Sequence, residues 1–137
     1  MNFWLLKTEP SRWSWSQQLT ENSTVWDGVR NALAQKHLRS MTVGDRAFFY
    51  HTGKDKHICG TVTITKEAYP DPTDETQRFS AVDVTTDQPF KNAVSLSTIK
   101  AHDSLAHLAL VRLSRLSVMP IDPPSWTLIC QWGGLCQ

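Results

Sequence analysis

The stretch RAFFYHTGKDKHICGTVTITK, residues 46 to 66, decides how this chain folds. Arg46 to His51 has the aromatic content of a strand, and Gly53-Lys54-Asp55-Lys56 is a polar turn. After it Ile58, Gly60, Val62 and Ile64 alternate with Cys59, Thr61, Thr63 and Thr65, a period of two that makes 58 to 66 a strand with one face turned inward. Two strands across a short turn predict a hairpin. Gly60, inside the second strand, predicts a place where a backbone or a ligand comes close. Phe79 to Thr85 alternates again and extends the series to a third strand.

Working outward, FWLLK (3 to 7) is short, apolar and bounded by Thr8-Glu9-Pro10, so it reads as a buried first strand. Ser14-Trp15-Ser16-Gln17 fits a capping box, in which serine and glutamine satisfy the exposed amides of a short helix through Leu19. Glu21 to Thr24 reads as polar loop. Val29, Leu33 and Leu38 lie near helical spacing and predict a helix from 29 to about 41, and Tyr69-Pro70-Asp71-Pro72-Thr73-Asp74 reads as a long loop. Ser97 offers a cap for a short helix, Leu105 to Leu110 a further helical turn, and Leu113 to Val118 a late strand. Pro123-Pro124 opens a final helix to Trp132 that Gly133-Gly134 ends. This order predicts a small α+β barrel.

The 137 residues predict one domain, 1–137, large enough to bury a core without disulfides or a metal. Hydrophobic and charged fractions of 40% and 20% are those of a soluble globular protein. The N-terminal apolar stretch, Phe3 to Leu6, is too short for a signal peptide and no run is long enough to span a membrane, so a cytoplasmic location is expected. Cys59, Cys130 and Cys136 form no C-x-x-C pair, which predicts free thiols. A net charge of +1 is far from the basic balance of proteins that coat phosphate backbones, so any nucleic-acid contact is expected to be local.

Little of the chain carries a catalytic signature. His37, His51, His57, His102 and His107 form no H-E-x-x-H, and none pairs with a cysteine at metal-ligand spacing; His51 with Cys59 would be an arbitrary dyad. G-x-S-x-G, P-loop and dinucleotide fingerprints are all missing, so neither cofactor nor metal is expected. Lys7, Thr8 and Glu9 could supply base, nucleophile and orienting group, but neighbouring strand residues point to opposite faces and converge only if the strand has ended. A strand end followed by a proline-fixed turn is the favoured reading there.

Tryptophan is the compositional oddity: six in all, with Trp4, Trp13, Trp15 and Trp26 in the first 26 residues. Trp4, Trp126 and Trp132 sit in apolar elements and are expected in the core, whereas Trp15 is placed to staple a helix and Trp13 to stand at a rim. Trp26 opens WDGVRN, 26 to 31, where polar loop meets helix. Core packing and a stacking wall for one base, worth about 1 to 3 kcal/mol, both suit it.

Several separated motifs, WLLKTEP, WDGVRN followed by alanine, MTVGDRAFFYH, the AYPDPT loop, AVDV and the RLSVMP of residues 115 to 120, resemble the EVE domain along essentially the whole chain, from Phe3 to Trp132. The resemblance implies a PUA-like twisted β-barrel surrounded by short helices, related to YTH domains. It also implies a pocket that accepts one flipped, modified base of DNA or RNA. Flipping costs a few kcal/mol, which an aromatic sandwich and edge-reading hydrogen bonds must return. The motif match makes Trp26 one wall and Phe79 the other, a position where this family often has tryptophan. It puts Lys7, Thr8 and Glu9 at the pocket edge, adds Asn31 as edge reader or helix cap, and adds Tyr50, His51 and Thr52 at a strand end on the same side. Arg30 becomes the phosphate candidate or a surface charge. The expected protein is a non-catalytic, monomeric nucleic-acid reader without a metal, a cofactor or a membrane. The alternative is a small hydrolase acting on a modified nucleoside, similar to ASCH-domain enzymes, with Lys7, Thr8 and Glu9 catalytic. An interaction module using Leu135 and Cys136 is a third possibility with thin support.

Overall fold

In the computed structural model, which describes residues 1–135, the stretch from 46 to 66 forms the expected hairpin: β3 (Arg46–His51) pairs antiparallel with β4 (His57–Pro70). Its alternation sets the core face, for Ile58, Val62 and Ile64 are fully buried. β1 (Phe3–Thr8) runs parallel to β3 and antiparallel to β6 (Val118–Ile121), while β5 (Ser80–Ser95) pairs with β4 and carries β2 (Ser23–Trp26) on its other side. The sheet order is therefore β2-β5-β4-β3-β1-β6. Repeated register shifts between β4 and β5 mark bulges, which bend the two long strands and curl the sheet.

Short helices close the curve. α1 (Trp15–Glu21) starts at the predicted capping box: Gln17 N–H donates to Ser14 Oγ at 3.1 Å, and Ser14 N–H donates to Gln17 Oε1 at 2.8 Å. α2 (Ala32–Ser40) packs against β4, β5 and β6, so it links β6, at one end of the sheet order, to the long strands on the other side, and buries Ala34 and Leu38. α3 (Leu96–Lys100), a 3-10 turn over Asp103–Leu105 and α4 (Ala109–Arg112) lead to β6, and α5 (Pro123–Trp132) follows with Asp122 as its cap. The architecture is the expected mixed α+β, a six-stranded sheet surrounded by short helices. Among the described residues no helix is long and apolar enough to cross a membrane.

Several boundaries differ from expectation: β4 runs on to Pro70, β5 to Ser95 and α1 to Glu21. Ser23 to Trp26 is an edge strand rather than loop, with only Trp26 buried, which is why its polar residues mimic a loop. α2 begins after Asn31 rather than at Val29, because Asn31 Oδ1 accepts the Ala34 N–H at 3.0 Å and fixes the start. Ser95, not Ser97, caps α3. The late strand starts at Val118, where pairing with Leu6 begins; Leu113 to Ser117 is irregular.

The core is continuous around Leu5, Leu6, Phe48, Phe49 and Trp126. Trp126 lies between Phe3 and Phe48, with ring centroids at 4.4 and 4.0 Å. Trp4 is buried as expected, its indole N–H donating to Asp45 at 3.0 Å, while Trp132 is only partly buried against the core. Gly60 explains its own presence: a Cβ there would stand 2.5 Å from the Trp15 ring and 2.6 Å from the Gln88 carbonyl.

Candidate functional site

Where β1 ends, the chain turns outward, and Thr52 N–H donates to the Thr8 carbonyl at 2.9 Å. Beside this turn opens a cavity of about 630 Å³, lined by Lys7, Thr8 and Glu9 from β1 and its end, Arg12 and Trp13 from the following turn, Thr24 to Arg30 from β2 and the WDGVR loop, Thr52, and Ser114, Arg115 and Ser117 before β6. Strand end and turn bring Lys7, Thr8 and Glu9 to one wall although alternation alone would separate them.

Trp26 is packed into the core and also reaches the cavity. It is 6% exposed and packs edge-on against Phe49 with centroids 5.5 Å apart, yet it lines the cavity. Trp13 lines it too, its indole N–H donating to Gln18 Oε1 at 2.9 Å, so two aromatic surfaces border one space. Lys7 Nζ donates to the Ser114 carbonyl at 2.9 Å, tying β1 to the loop before β6, and burial lowers the pKa of its ammonium. Thr8 Oγ1 donates to the carbonyls of Trp13 at 3.0 Å and Glu9 at 3.4 Å. No hydrogen bond links Lys7, Thr8 and Glu9 side chains to one another among the described residues, so the threonine hydroxyl is not held by a base as an activated nucleophile would be.

The WDGVR wall is fixed from outside by Asp71, a residue that reading the sequence placed only in a loop. Its side chain is fully buried and accepts from Gly28 N–H at 2.8 Å, Arg30 Nη1 at 3.0 Å, and Thr73 N–H and hydroxyl at 2.7 and 2.6 Å. Burial alone would raise the pKa of this carboxyl; the Thr73 hydroxyl, the two amides and the Arg30 guanidinium outweigh it and bring it down to about 2. Gly28 takes φ of +77°, as the tight turn requires, and Arg12 lies against it with a 3.7 Å ion pair to Asp27. Only the proline and the acid of AYPDPT, read together with WDGVRN, hinted at this clamp.

The remaining predicted residues lie around the cavity rather than on it. Asn31 is the cap of α2. Tyr50 is buried beside β1, its ring 5.6 Å from Lys7 Nζ. His51 Nε2 accepts the Trp15 N–H at 2.9 Å and Nδ1 meets Asp55 at 3.1 Å, so the ring is a strut under α1. Phe79 sits off the lining, because the Asp71 N–H holds its carbonyl at 2.9 Å and Asp74 its amide at 2.9 Å; its ring instead lies 4.9 Å from the Arg30 guanidinium.

The hairpin also brings together His51, His57 and Cys59, whose donor atoms lie within 4.8 Å of one another, a convergence that residue spacing did not reveal. Both His51 nitrogens are engaged, by the Trp15 N–H and by Asp55, and burial raises the pKa of the Cys59 thiol to about 12. Cys136 lies outside the described residues, and Leu135 packs partly buried against the core.

A protein from Rhodopseudomonas palustris solved by NMR superposes with a TM-score of 0.93 at 46% identity, covering 100% of this chain and 96% of that one. Human THYN1 protein in complex with 5-methylcytosine containing DNA superposes at 0.90 with 29% identity, covering both chains fully. A YTH domain from Zygosaccharomyces rouxii, at 13% identity and a TM-score of 0.59, shares the fold. In sequence, thymocyte nuclear protein 1 of Gallus gallus is 36% identical over 92% of this chain, and that of Homo sapiens 32% over 92%. This chain spans 66% and 71% of the length of those two relatives. The family model of the EVE domain matches residues 2–132, and the chain belongs to the EVE family.

Proposed function

We propose that the cavity receives one nucleobase, flipped out of a DNA or RNA strand and carrying a small modification, and that the protein reads this base without chemically changing it. The observation that carries the reading is the pairing of Trp26 and Trp13 on one cavity of about 630 Å³ whose edges offer Lys7, Thr8, Glu9 and Thr52. Small-molecule sites fall at roughly 300 to 1,000 Å³, so a base with its sugar fits. Aromatic faces supply sequence-tolerant stacking, while hydroxyl, ammonium and carboxylate groups read the base edge. The structural relative bound to 5-methylcytosine containing DNA supports this reading.

Arg30 suits the phosphate. Its Nη1 donates to Asp71 and to the Val29 carbonyl, and its Nη2 to Thr73, which leaves Nε–H and the other Nη2–H for an incoming acceptor. In this reading Trp13 takes the place at the cavity expected of Phe79, while Asn31, Tyr50 and His51 support the wall behind the residues that touch the base. One cavity built within one chain suits a monomer.

Titration of oligonucleotides that differ only at one methylated or hydroxymethylated base tests the reading. Wild type binds the modified strand more tightly, Trp13→Ala and Trp26→Phe each reduce the preference, and the fold survives in both as judged by circular dichroism. Equal binding of modified and unmodified strands by wild type would sink the idea.

A further inference from the structure

Phe79 and Arg78 are left over by the cavity, yet they are built with care. The loop that bears them is held by Asp74, which accepts from Thr76 N–H and hydroxyl, Arg78 N–H and Phe79 N–H at 2.5 to 2.9 Å. Arg39 braces it from α2, donating to the Arg78 carbonyl at 2.9 Å and to Ser80 Oγ at 3.3 Å. The half-buried Phe79 ring has the guanidinium carbons of Arg30 and Arg78 at 4.9 and 5.8 Å from its centroid. Arg30 belongs to this cluster and to the cavity lining alike, so the cluster begins one side chain away from the proposed base.

We infer that Phe79 and Arg78, joined to the cavity through Arg30, form a second contact that grips the nucleotide next to the flipped one; this rests on the base-reading proposal. A flipped base stays attached to its strand, so its neighbours must leave the cavity mouth past such side chains. Guanidinium groups stacked on an aromatic ring offer a cationic, flat surface, which suits a phosphate with its base and does not depend on sequence. The carboxylates nearby oppose it weakly: Asp71 is buried, Asp74 is consumed by the loop, and Glu75 is exposed. The overall charge of +1 fits a contact confined to a nucleotide or two.

The test uses the whole chain and two DNA duplexes that differ only in one 5-methylcytosine, titrated over a range of salt. Arg78→Gln is expected to weaken both probes about fivefold and to lower the slope of log affinity against log salt by about 1. Phe79→Leu weakens both about fivefold or more, and Glu75→Gln tightens both. In each variant the ratio between methylated and unmethylated probes stays that of wild type, whereas Trp13→Ala reduces it. Affinities within twofold of wild type in all three variants, or a ratio lost together with affinity, overturn the inference. A wild type that does not discriminate between the probes overturns the cavity reading instead.

Discussion

Asp71 holds Arg30 with one carboxylate oxygen, Oδ2, that also accepts the Gly28 N–H, at 3.0 and 2.8 Å. A single buried atom thus sets both the backbone of the cavity wall and the side chain that stands at its edge. Asp71→Asn keeps the shape and loses the charge, leaving the guanidinium and an amide poorly matched. We expect a loss of roughly 2 to 4 kcal/mol in urea unfolding, together with weaker binding of a modified oligonucleotide.

The same carboxylate predicts the response to acid. Its folded-state pKa of about 2 lies below the ordinary 3.8, so the stability it contributes is present above the ordinary value and is lost as pH falls through the folded one. Asp74, with a pKa brought to about 2 chiefly by the Thr76 hydroxyl, acts in the same direction. Chemical unfolding between pH 5 and pH 2 is expected to lose on the order of 2 kcal/mol from Asp71, and Asp71→Asn is expected to flatten that dependence.

Gly60→Ala sets a methyl group against the Trp15 ring and the Gln88 carbonyl. The ring lies on α1 and the carbonyl on β5, so neither yields freely. A cost of about 1 to 3 kcal/mol follows, with a change in tryptophan fluorescence as α1 shifts.

His51→Ala removes the acceptor of the Trp15 N–H at the first turn of α1. Stability is expected to fall by about 1 to 3 kcal/mol, and hydrogen exchange of the α1 amides to quicken more than that of β1 or β3. The rescue to look for is His51→Gln, whose side-chain oxygen can accept the same bond.

Much of the sheet was legible because its signals are local. Aromatic content marked β3, alternation marked β4 and the start of β5, and the capping box fixed the first residue of α1, whose end at Glu21 runs past the expected Leu19. β2 escaped because an edge strand with Ser23 and Thr24 facing outward has the composition of a loop. The site divides in the same way. Lys7, Thr8, Glu9, Trp26, Arg30 and Thr52 stand in contiguous motifs and all line the cavity, and Trp13 lines it from the rim position that its place beside a helix cap suggested. Ser114, Arg115 and Ser117 reach the wall only because β6 pairs with β1, a contact between residues more than a hundred positions apart that no local pattern announces. Phe79 was misplaced for a related reason: the motif fixed its position in the chain, but the hydrogen bonds of Asp71 and Asp74 decide where the ring goes.

The pairing of β1 between β3 and β6 also orders events during synthesis. The first strand finds its parallel partner about forty residues further along the chain, yet its second edge stays open until Val118 to Ile121 have left the ribosome. The last wall of the cavity, Ser114 to Ser117, precedes that strand by a few residues and is anchored by Lys7 through Ser114 and Ser117. A nascent chain therefore has Trp13 and Trp26 made well before Ser114 to Ser117 can close the cavity that they line.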